Sequence, residues 1–132
     1  MNRREARKQA FLMLFQYKFQ PEDMDGVLEY FFQNKNAGDQ AGYIENVVKG
    51  ATEKIEELDN IISENTENRD IERISSVSLA AIRLGAYEIL YVEDIPAVIS
   101  INEAVALAKE FEGEEAAPFV NGILDKIMKS LG

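Results

Sequence analysis

Cysteine and histidine are both absent from this chain of 132 residues. Without cysteine the chain has no disulfide and no thiol nucleophile, and its composition fits a reducing compartment such as the cytoplasm. Without histidine it lacks the commonest metal ligand and the commonest general base, which excludes a zinc site and Ser-His-Asp catalysis. Only acid–base chemistry by paired carboxylates stays open among these classes, because Asp and Glu together number 24.

Long apolar runs are lacking as well. No stretch reaches the roughly 18 consecutive apolar residues of a membrane-spanning helix. There is no glycine-rich phosphate loop, and the early acidic residue Glu5 is not typical of a secretory signal. We therefore expect a cytoplasmic protein, with no membrane partner, no metal, no cofactor and no catalytic residues.

Charge is distributed unevenly along the chain. The net charge is −10, yet residues 1–19 contain five basic residues and one acidic residue, so this stretch carries +4 and the remainder −14. Cations at a helix N-terminus oppose the helix dipole at a cost of roughly 0.3–1 kcal/mol each. A basic start on an acidic body favours a confined contact with an anionic partner such as a nucleic acid. The alternative is an ordinary solvated helix end.

Apolar residues recur at helical spacing almost throughout, and no strand pattern or internal repeat is evident. The spacing predicts helices over 3–18, 22–33 and 74–92. Between the last two, Asp39 is expected to cap one long helix. Its apolar positions form a packing seam that we assign to the core: Ile44, Val48, Ala51, Ile55, Leu58 and Ile62.

Local signals predict helix ends in the second half. Pro96 stops the 74–92 helix, and Ser100 and Glu103 have the spacing of a capping box. Gly113 is expected to end the following helix, and Pro118 is expected at the first position of the last one.

The polar run 63–70 divides the pattern into halves of about 1–65 and 66–132. It is either a connection between helices or a hinge between subdomains. Residues 1–132 are expected to form a single all-α domain, a compact bundle of about seven helices. Two smaller bundles sharing one core are an alternative arrangement.

Several segments resemble the NusB family of bacterial transcription antitermination factors. They are the basic opening RREARKQAFLMLF (3–15), IRLGAYEIL (82–90), DIP (94–96), INEAVALAKEF (101–111) and FVNGILDKI (119–127). The resemblance covers nearly the whole chain in order, although residues 20–70 match mainly in helical pattern.

The resemblance implies two small helical bundles packed at a steep angle. It also implies binding of boxA RNA from ribosomal RNA leaders together with NusE, a ribosomal small-subunit protein, and loading of an antitermination complex on RNA polymerase without catalysis. A monomer and a homodimer paired through the basic face are both compatible with it. Two alternatives stay open, a helical scaffold without RNA binding and a module serving a ribosomal RNA methyltransferase.

Carried over residue by residue, the resemblance implies RNA contacts by Arg3, Arg4 and Arg7, whose side chains are expected to be solvated. Lys8 joins them on charge and proximity. Two further candidates, Arg69 and Arg73, lie beside the polar run and extend the RNA-binding track or occupy a solvated helix start.

Aromatic residues on the first helix are the partner candidates. Phe15 and Phe19 match partner-contact positions of the family, with core packing as the alternative. Tyr17 and Phe15 are candidates for base stacking. Arg83 lies between apolar neighbours, which favours a pair with a carboxylate that locks the fold.

Two amides, Asn102 and Asn121, each lie at an apolar helix start and are assigned a structural role, with RNA contact as the alternative. Gly122 is expected to permit close approach of two helices.

Overall fold

Seven α-helices make up the protein in a computed structural model that describes all of residues 1–132, without strands. Their bounds are α1 Arg3–Tyr17, α2 Met24–Asn34, α3 Ala41–Glu53, α4 Ile55–Glu64, α5 Ser76–Tyr91, α6 Ala97–Glu112 and α7 Ala116–Ser130. The expected all-α architecture of about seven helices is confirmed. No helix combines the length and apolar character that a bilayer crossing requires.

The long helix expected after Asp39 is two helices. Lys54 leaves the helical conformation, at φ −103° and ψ 23°, and separates α3 from α4. This break lets α3 pack on α1 and α2 while α4 packs on α5 and α7. Asp39 itself lies in a short 3₁₀ turn and makes no cap, so that prediction is wrong. The core assignment of the seam is confirmed, because every seam residue is buried except half-buried Ile55.

Helix α5 is the centre of the molecule. Every residue from 78 to 88 is buried, and α5 packs against α1, α3, α4, α6 and α7. A helix that is covered on all sides must be apolar on every face, and any polar side chain it carries must be paired within the protein. The 33 buried apolar residues of the protein form one continuous cluster to which all seven helices contribute.

Two predictions of where helices begin are wrong, because both helices begin earlier than predicted. Helix α6 begins at Ala97, immediately after Pro96, so Ser100 and Glu103 lie inside it and form no capping box. Helix α7 begins at Ala116, which puts Pro118 at its third position. Proline is tolerated there because the first-turn N–H groups of a helix have no intrahelical acceptor. Gly113 does end α6, at φ 111°.

Close helix approach occurs at other glycines than expected. A Cβ added to Gly122 would meet nothing within 4 Å, so the expectation of close packing there is wrong. On Gly85 a Cβ would lie 2.7 Å from Leu124 Cδ1, and on Gly50 it would lie 2.0 Å from the Tyr87 hydroxyl. These glycines bring α7 and α3 against the central helix. Asn102 and Asn121 are exposed within helices rather than at their starts, so the helix-start role is wrong for both.

Candidate nucleic-acid interface

The start of α1 faces α6 across a groove of about 290 Å³. Its two walls carry opposite charges, from Arg4, Arg7 and Lys8 on α1 and from Glu103 and Glu110 on α6. Asn2 begins α1 by accepting the Glu5 backbone N–H at 2.8 Å, which fixes where the first basic turn starts. The groove therefore brings together the basic residues that the sequence had placed on one helix.

Arg7 is not solvated, and the expectation that it would be is wrong. Its side chain is only 5% exposed. Nε donates to Glu88 Oε2 at 2.8 Å, and Nη2 donates to Glu88 Oε1 at 3.3 Å. Nη1 donates to Glu103 Oε1 at 3.2 Å. Arg7 is turned inward because it lies three and seven residues before the buried Ala10 and Leu14, on the same helical face.

Glu88, on the central helix, is fully buried and accepts every donor around it. Besides Arg7, the hydroxyl of Tyr43 donates to Oε2, and the hydroxyl of Ser100 donates to Oε1 at 2.7 Å. Burial, reinforced by the Glu88 carboxylate, raises the pKa of Tyr43 far above its ordinary value, so its hydroxyl stays a donor. Burial opposes the charge of Arg7, but hydrogen bonding and attraction to Glu88 outweigh it and raise the Arg7 pKa. The network ties α1, α3, α5 and α6 together beneath the groove.

Arg4 is the most accessible cation of the groove. Its side chain is 82% exposed, and its guanidinium makes a two-pronged contact with Glu103, with both bonds at 3.1 Å. Glu103 is only 15% exposed and is shared between Arg4 and the buried Arg7. One carboxylate therefore links the exposed arginine to the fixed one.

Lys8 and Arg3 flank Arg4 with partners of their own. Lys8 Nζ lies 2.6 Å from Glu110 Oε2, and hydrogen bonding to Glu110 raises the Lys8 pKa. Arg3 Nε donates to Gln40 at 2.6 Å, and its guanidinium stacks 4.2 Å above the centre of the Tyr43 ring. Arg3, Arg4 and Lys8 are thus all at least partly exposed, with Arg4 and Lys8 lining the groove and Arg3 on the side of α1 that faces Gln40 and Tyr43.

Arg69 and Arg73 lie elsewhere. They belong to two 3₁₀ turns after α4, near the C-terminal end of α1, where Lys18 Nζ contacts Ser76 Oγ at 2.7 Å. Arg69 is exposed with a positive φ of 55°, and Arg73 is exposed and pairs with Asp70 at 3.3 Å. At 1.5 Å per residue, the length of α1 from Arg4 to Lys18 is about 21 Å. The structure does not bring these two arginines into the groove.

Phe15 and Phe19 differ in exposure. Phe19 is 62% exposed just beyond α1, whereas Phe15 is half-buried and packs against the core cluster. The centres of the Phe15 and Phe19 rings are 5.4 Å apart. Beside them a larger groove of about 630 Å³ contains Tyr17 and Lys18. Arg83 reaches the same region and donates twice to Asp59, at 2.9 and 2.8 Å, so the predicted carboxylate pair is confirmed.

The carboxylates of the groove were missed as binding-site residues. Glu88 stands in the middle of an otherwise apolar helix, and such a residue needs a buried cationic partner. Arg7, on the apolar face of α1, was the matching signal. Nothing in the sequence singled out Glu103 and Glu110 as residues of a binding site, because acidic residues on a surface helix are common. No group of three or more acidic side chains is arranged to hold a metal ion.

The fold and the groove define an all-helical protein with a cleft along its first helix, in which basic side chains face carboxylates. The NusB family model matches residues 4–129, and this chain belongs to the NusB family. It is 40% identical to the transcription antitermination protein NusB of Thermoanaerobacter sp. (strain X514), over 100% of this chain and 94% of that protein.

Solved structures give the same result. A crystal structure of T. maritima NusB superimposes with a TM-score of 0.90 at 34% identity, covering 98% of this chain and 92% of that one. A chain from the crystal structure of antitermination factors NusB and NusE in complex with dsRNA superimposes with a TM-score of 0.83 at 31% identity. That match covers 97% of this chain and 96% of the other.

Proposed function

We propose that this chain is a cytoplasmic transcription antitermination factor that binds boxA RNA of ribosomal RNA leaders together with NusE. The pair would help assemble an antitermination complex on RNA polymerase, by recognition and without a catalysed reaction. The observation that carries the proposal is the cluster of basic side chains at the start of α1, with Arg4 and Lys8 accessible in the groove, in a chain whose net charge is −10. The likeness to a chain of the NusB–NusE–dsRNA structure supports it.

RNA recognition at the groove rests on the accessible cations. The exposed guanidinium of Arg4 can fork onto a phosphate or a guanine edge. Lys8 lies beside it in the groove, and Arg3 lies on the adjoining side of α1. Arg7 is too buried for that role, so we assign it to positioning Glu103 and the groove wall. The acidic remainder of the surface repels RNA and confines it to this end.

The NusE surface is proposed at the other end of α1. Phe19 is a large apolar side chain that is exposed to solvent, and its ring packs on that of Phe15. An exposed aromatic beside a groove is typical of a protein contact. The 3₁₀ turns that carry Arg69 and Arg73 adjoin that groove, which Ile71 and Glu72 line, so contact of the two arginines with RNA requires the RNA to run the length of α1.

RNA binding is tested by fluorescence anisotropy with a labelled boxA oligonucleotide at several salt concentrations. We expect the R3A/R4A double variant to lose about tenfold or more in affinity, since hydrogen bonds to charged groups contribute roughly 1.5–3 kcal/mol each. The salt slope should fall by about 0.7 per lost phosphate contact. Lys49→Ala with Lys129→Ala removes the same charge from exposed pairs elsewhere, and should change affinity little. Parent-like binding by R3A/R4A would contradict the proposal.

NusE is added in a second arm of the same measurement. It should raise RNA affinity, since two contacts to one RNA are coupled. Phe19→Ala should reduce this gain, while Tyr30→Ala, which truncates an aromatic residue of similar exposure on α2, should leave it intact. An R69A/R73A variant tests whether the RNA reaches the far end of α1. A parent that binds no RNA with or without NusE would favour the scaffold alternative.

A further inference from the structure

Each accessible basic side chain of the groove already contacts a carboxylate of the protein itself. Glu103 holds Arg4 through two hydrogen bonds, and Glu110 holds Lys8 through one ion pair. Both carboxylates come from the facing wall of α6. The groove is lined by three cations and by three carboxylates, which are Glu5, Glu103 and Glu110. The groove is therefore close to neutral, although its α1 wall is strongly basic.

The three pairs differ in how easily a ligand can open them. The Arg7–Glu88 pair is buried, with exposed fractions of 5% and 0%, and cannot exchange with a ligand while the protein is folded. Lys8 and Glu110 are 34% and 49% exposed, and Arg4 is more exposed still. Exposed ion pairs are weak and open readily in water. The cations that RNA can reach are thus the ones held by exchangeable partners.

A carboxylate and a phosphodiester compete for the same donor. Both present two oxygens that match the fork of a guanidinium, and both attract an ammonium. A phosphate that takes the Nε–Nη2 fork of Arg4 displaces Glu103, and one that takes the N–H of Lys8 facing Glu110 displaces that carboxylate. A phosphate on one of the remaining N–H groups still lies beside the carboxylate as a like charge. Glu103 keeps its second contact, to Arg7, and so remains beside Arg4 after displacement.

We propose that Glu103 and Glu110 act as internal competitors that hold down the affinity of the groove for RNA phosphates. This inference rests on the proposed RNA-binding function of the same groove. Because the competition is for phosphate, it weakens binding to any RNA sequence. Contacts that do not involve phosphate, to bases or through a second protein, then carry a larger share of selective binding.

The experiment uses Glu110→Gln and Glu103→Gln, singly and together, in the full chain. Glutamine keeps the size of the side chain and a carbonyl acceptor while removing the charge. The matched control is Glu45→Gln, which removes the same charge from an exposed ion pair with Lys49, at 3.0 Å on α3. Thermal unfolding by circular dichroism checks each fold, and Glu110 is half exposed with Lys8 as its only side-chain partner, so its variant carries the test if Glu103→Gln is unstable.

The probes are a labelled boxA oligonucleotide and an oligouridine of equal length, titrated at low and moderate salt. We expect each groove variant to raise affinity about three- to tenfold for both RNAs, and the double variant to raise it further. Each additional phosphate contact should steepen the salt slope by about 0.7. Glu45→Gln should change affinity less than twofold, because a distant surface charge is screened.

The outcomes separate this inference from the function on which it rests. If the parent binds boxA RNA and the groove variants bind no more tightly than Glu45→Gln, the competition is wrong and the proposed function stands. Weaker binding by the groove variants also overturns it, since the carboxylates would then be positioning the cations. Binding by the variants but not by the isolated parent supports the competition. If no protein binds either RNA, with or without NusE, both proposals are wrong.

Discussion

Arg4 and Arg7 have the same side chain, lie three residues apart on one helix and contact the same carboxylate, yet their environments are opposite. Arg4 is open to solvent, whereas Arg7 is enclosed with Glu88 beneath the groove. A buried pair loses most when one partner is removed, because the other is left as an unpaired charge. The two arginines therefore have different roles, Arg4 in binding and Arg7 in stability and positioning.

Arg7→Ala is expected to cost about 3–5 kcal/mol in the free energy of unfolding, because it leaves buried Glu88 without its cation. Arg4→Ala should cost no more than about 1 kcal/mol, since Arg4 itself is exposed and Glu103 keeps its bond to Arg7. Urea denaturation followed by circular dichroism measures both. In the R7A/E88Q double variant the neutral amide removes the unpaired charge, and part of the lost stability should return. A melting curve of Arg7→Ala that matches Arg4→Ala would refute the assignment.

At the scale of elements, α5 organises the packing of the second half. Gly85 on α5 faces Leu124 on α7 and Ala104 on α6, at a distance that leaves no room for a Cβ. Leu124 is fully buried, and so are its helical neighbours Val120 and Ile127. The segment FVNGILDKI thus presents its apolar face to the central helix, as its spacing predicts.

Leu124→Ala is expected to cost about 2–5 kcal/mol through lost burial and a residual cavity. Gly85→Ala should cost about 1–3 kcal/mol by overpacking, since its Cβ would lie 2.7 Å from Leu124 Cδ1. The double variant should cost less than the sum of the two single costs, because the shortened side chain at position 124 makes room for the new methyl group at position 85. Chemical denaturation of the four proteins measures this coupling.

Gly122→Ala is the matched control on α7. The added methyl group meets nothing within 4 Å, and alanine is favoured over glycine inside a helix by about 0.5–1 kcal/mol. This variant should be as stable as the parent or slightly more so. Additive costs for Gly85→Ala and Leu124→Ala would show that the α5–α7 contact is looser than the distances indicate.

For the whole molecule, the main question is whether the two halves unfold together. The core is one cluster, and α1 from the first half packs on α5 from the second. The buried network beneath the groove also crosses between the halves, since Arg7 and Tyr43 meet Glu88 and Ser100 there. Shared burial of this kind favours a single cooperative domain over residues 1–132.

Thermal unfolding is expected to be a single transition in which calorimetric and van't Hoff enthalpies agree. Arg7→Ala should lower the temperature of that one transition without splitting it, because it weakens the contact between the halves and the core at once. Calorimetry with far-ultraviolet circular dichroism provides the measurement. Two resolved transitions, only one of them shifted by Arg7→Ala, would show that the polar run at 63–70 is a hinge between subdomains.

Local spacing alone was enough to predict the helices and most of the core. The apolar positions of α1, α3, α5 and α7 recur with the helical period, and a period is a property of neighbouring residues. The basic character of the first helix follows from composition. The apolar neighbours of Arg83 predicted that it pairs with a carboxylate, but not that this carboxylate is Asp59, 24 residues away. The prediction of one helix from Asp39 onward was wrong because the apolar seam continues across Lys54, whereas the helical backbone conformation is interrupted there.

Which cations are free could not be read from spacing. Arg7 meets Glu88 across 81 residues and Glu103 across 96, and Arg4 meets Glu103 across 99. Such pairs depend on how α1, α5 and α6 pack, and no local pattern encodes that arrangement. Ser100 has the spacing of a helix cap, yet the packed helices turn its hydroxyl to Glu88 instead. The chain's own residues determined that the first helix is basic, and the packing of distant carboxylates against it decided how much of that charge a ligand can reach.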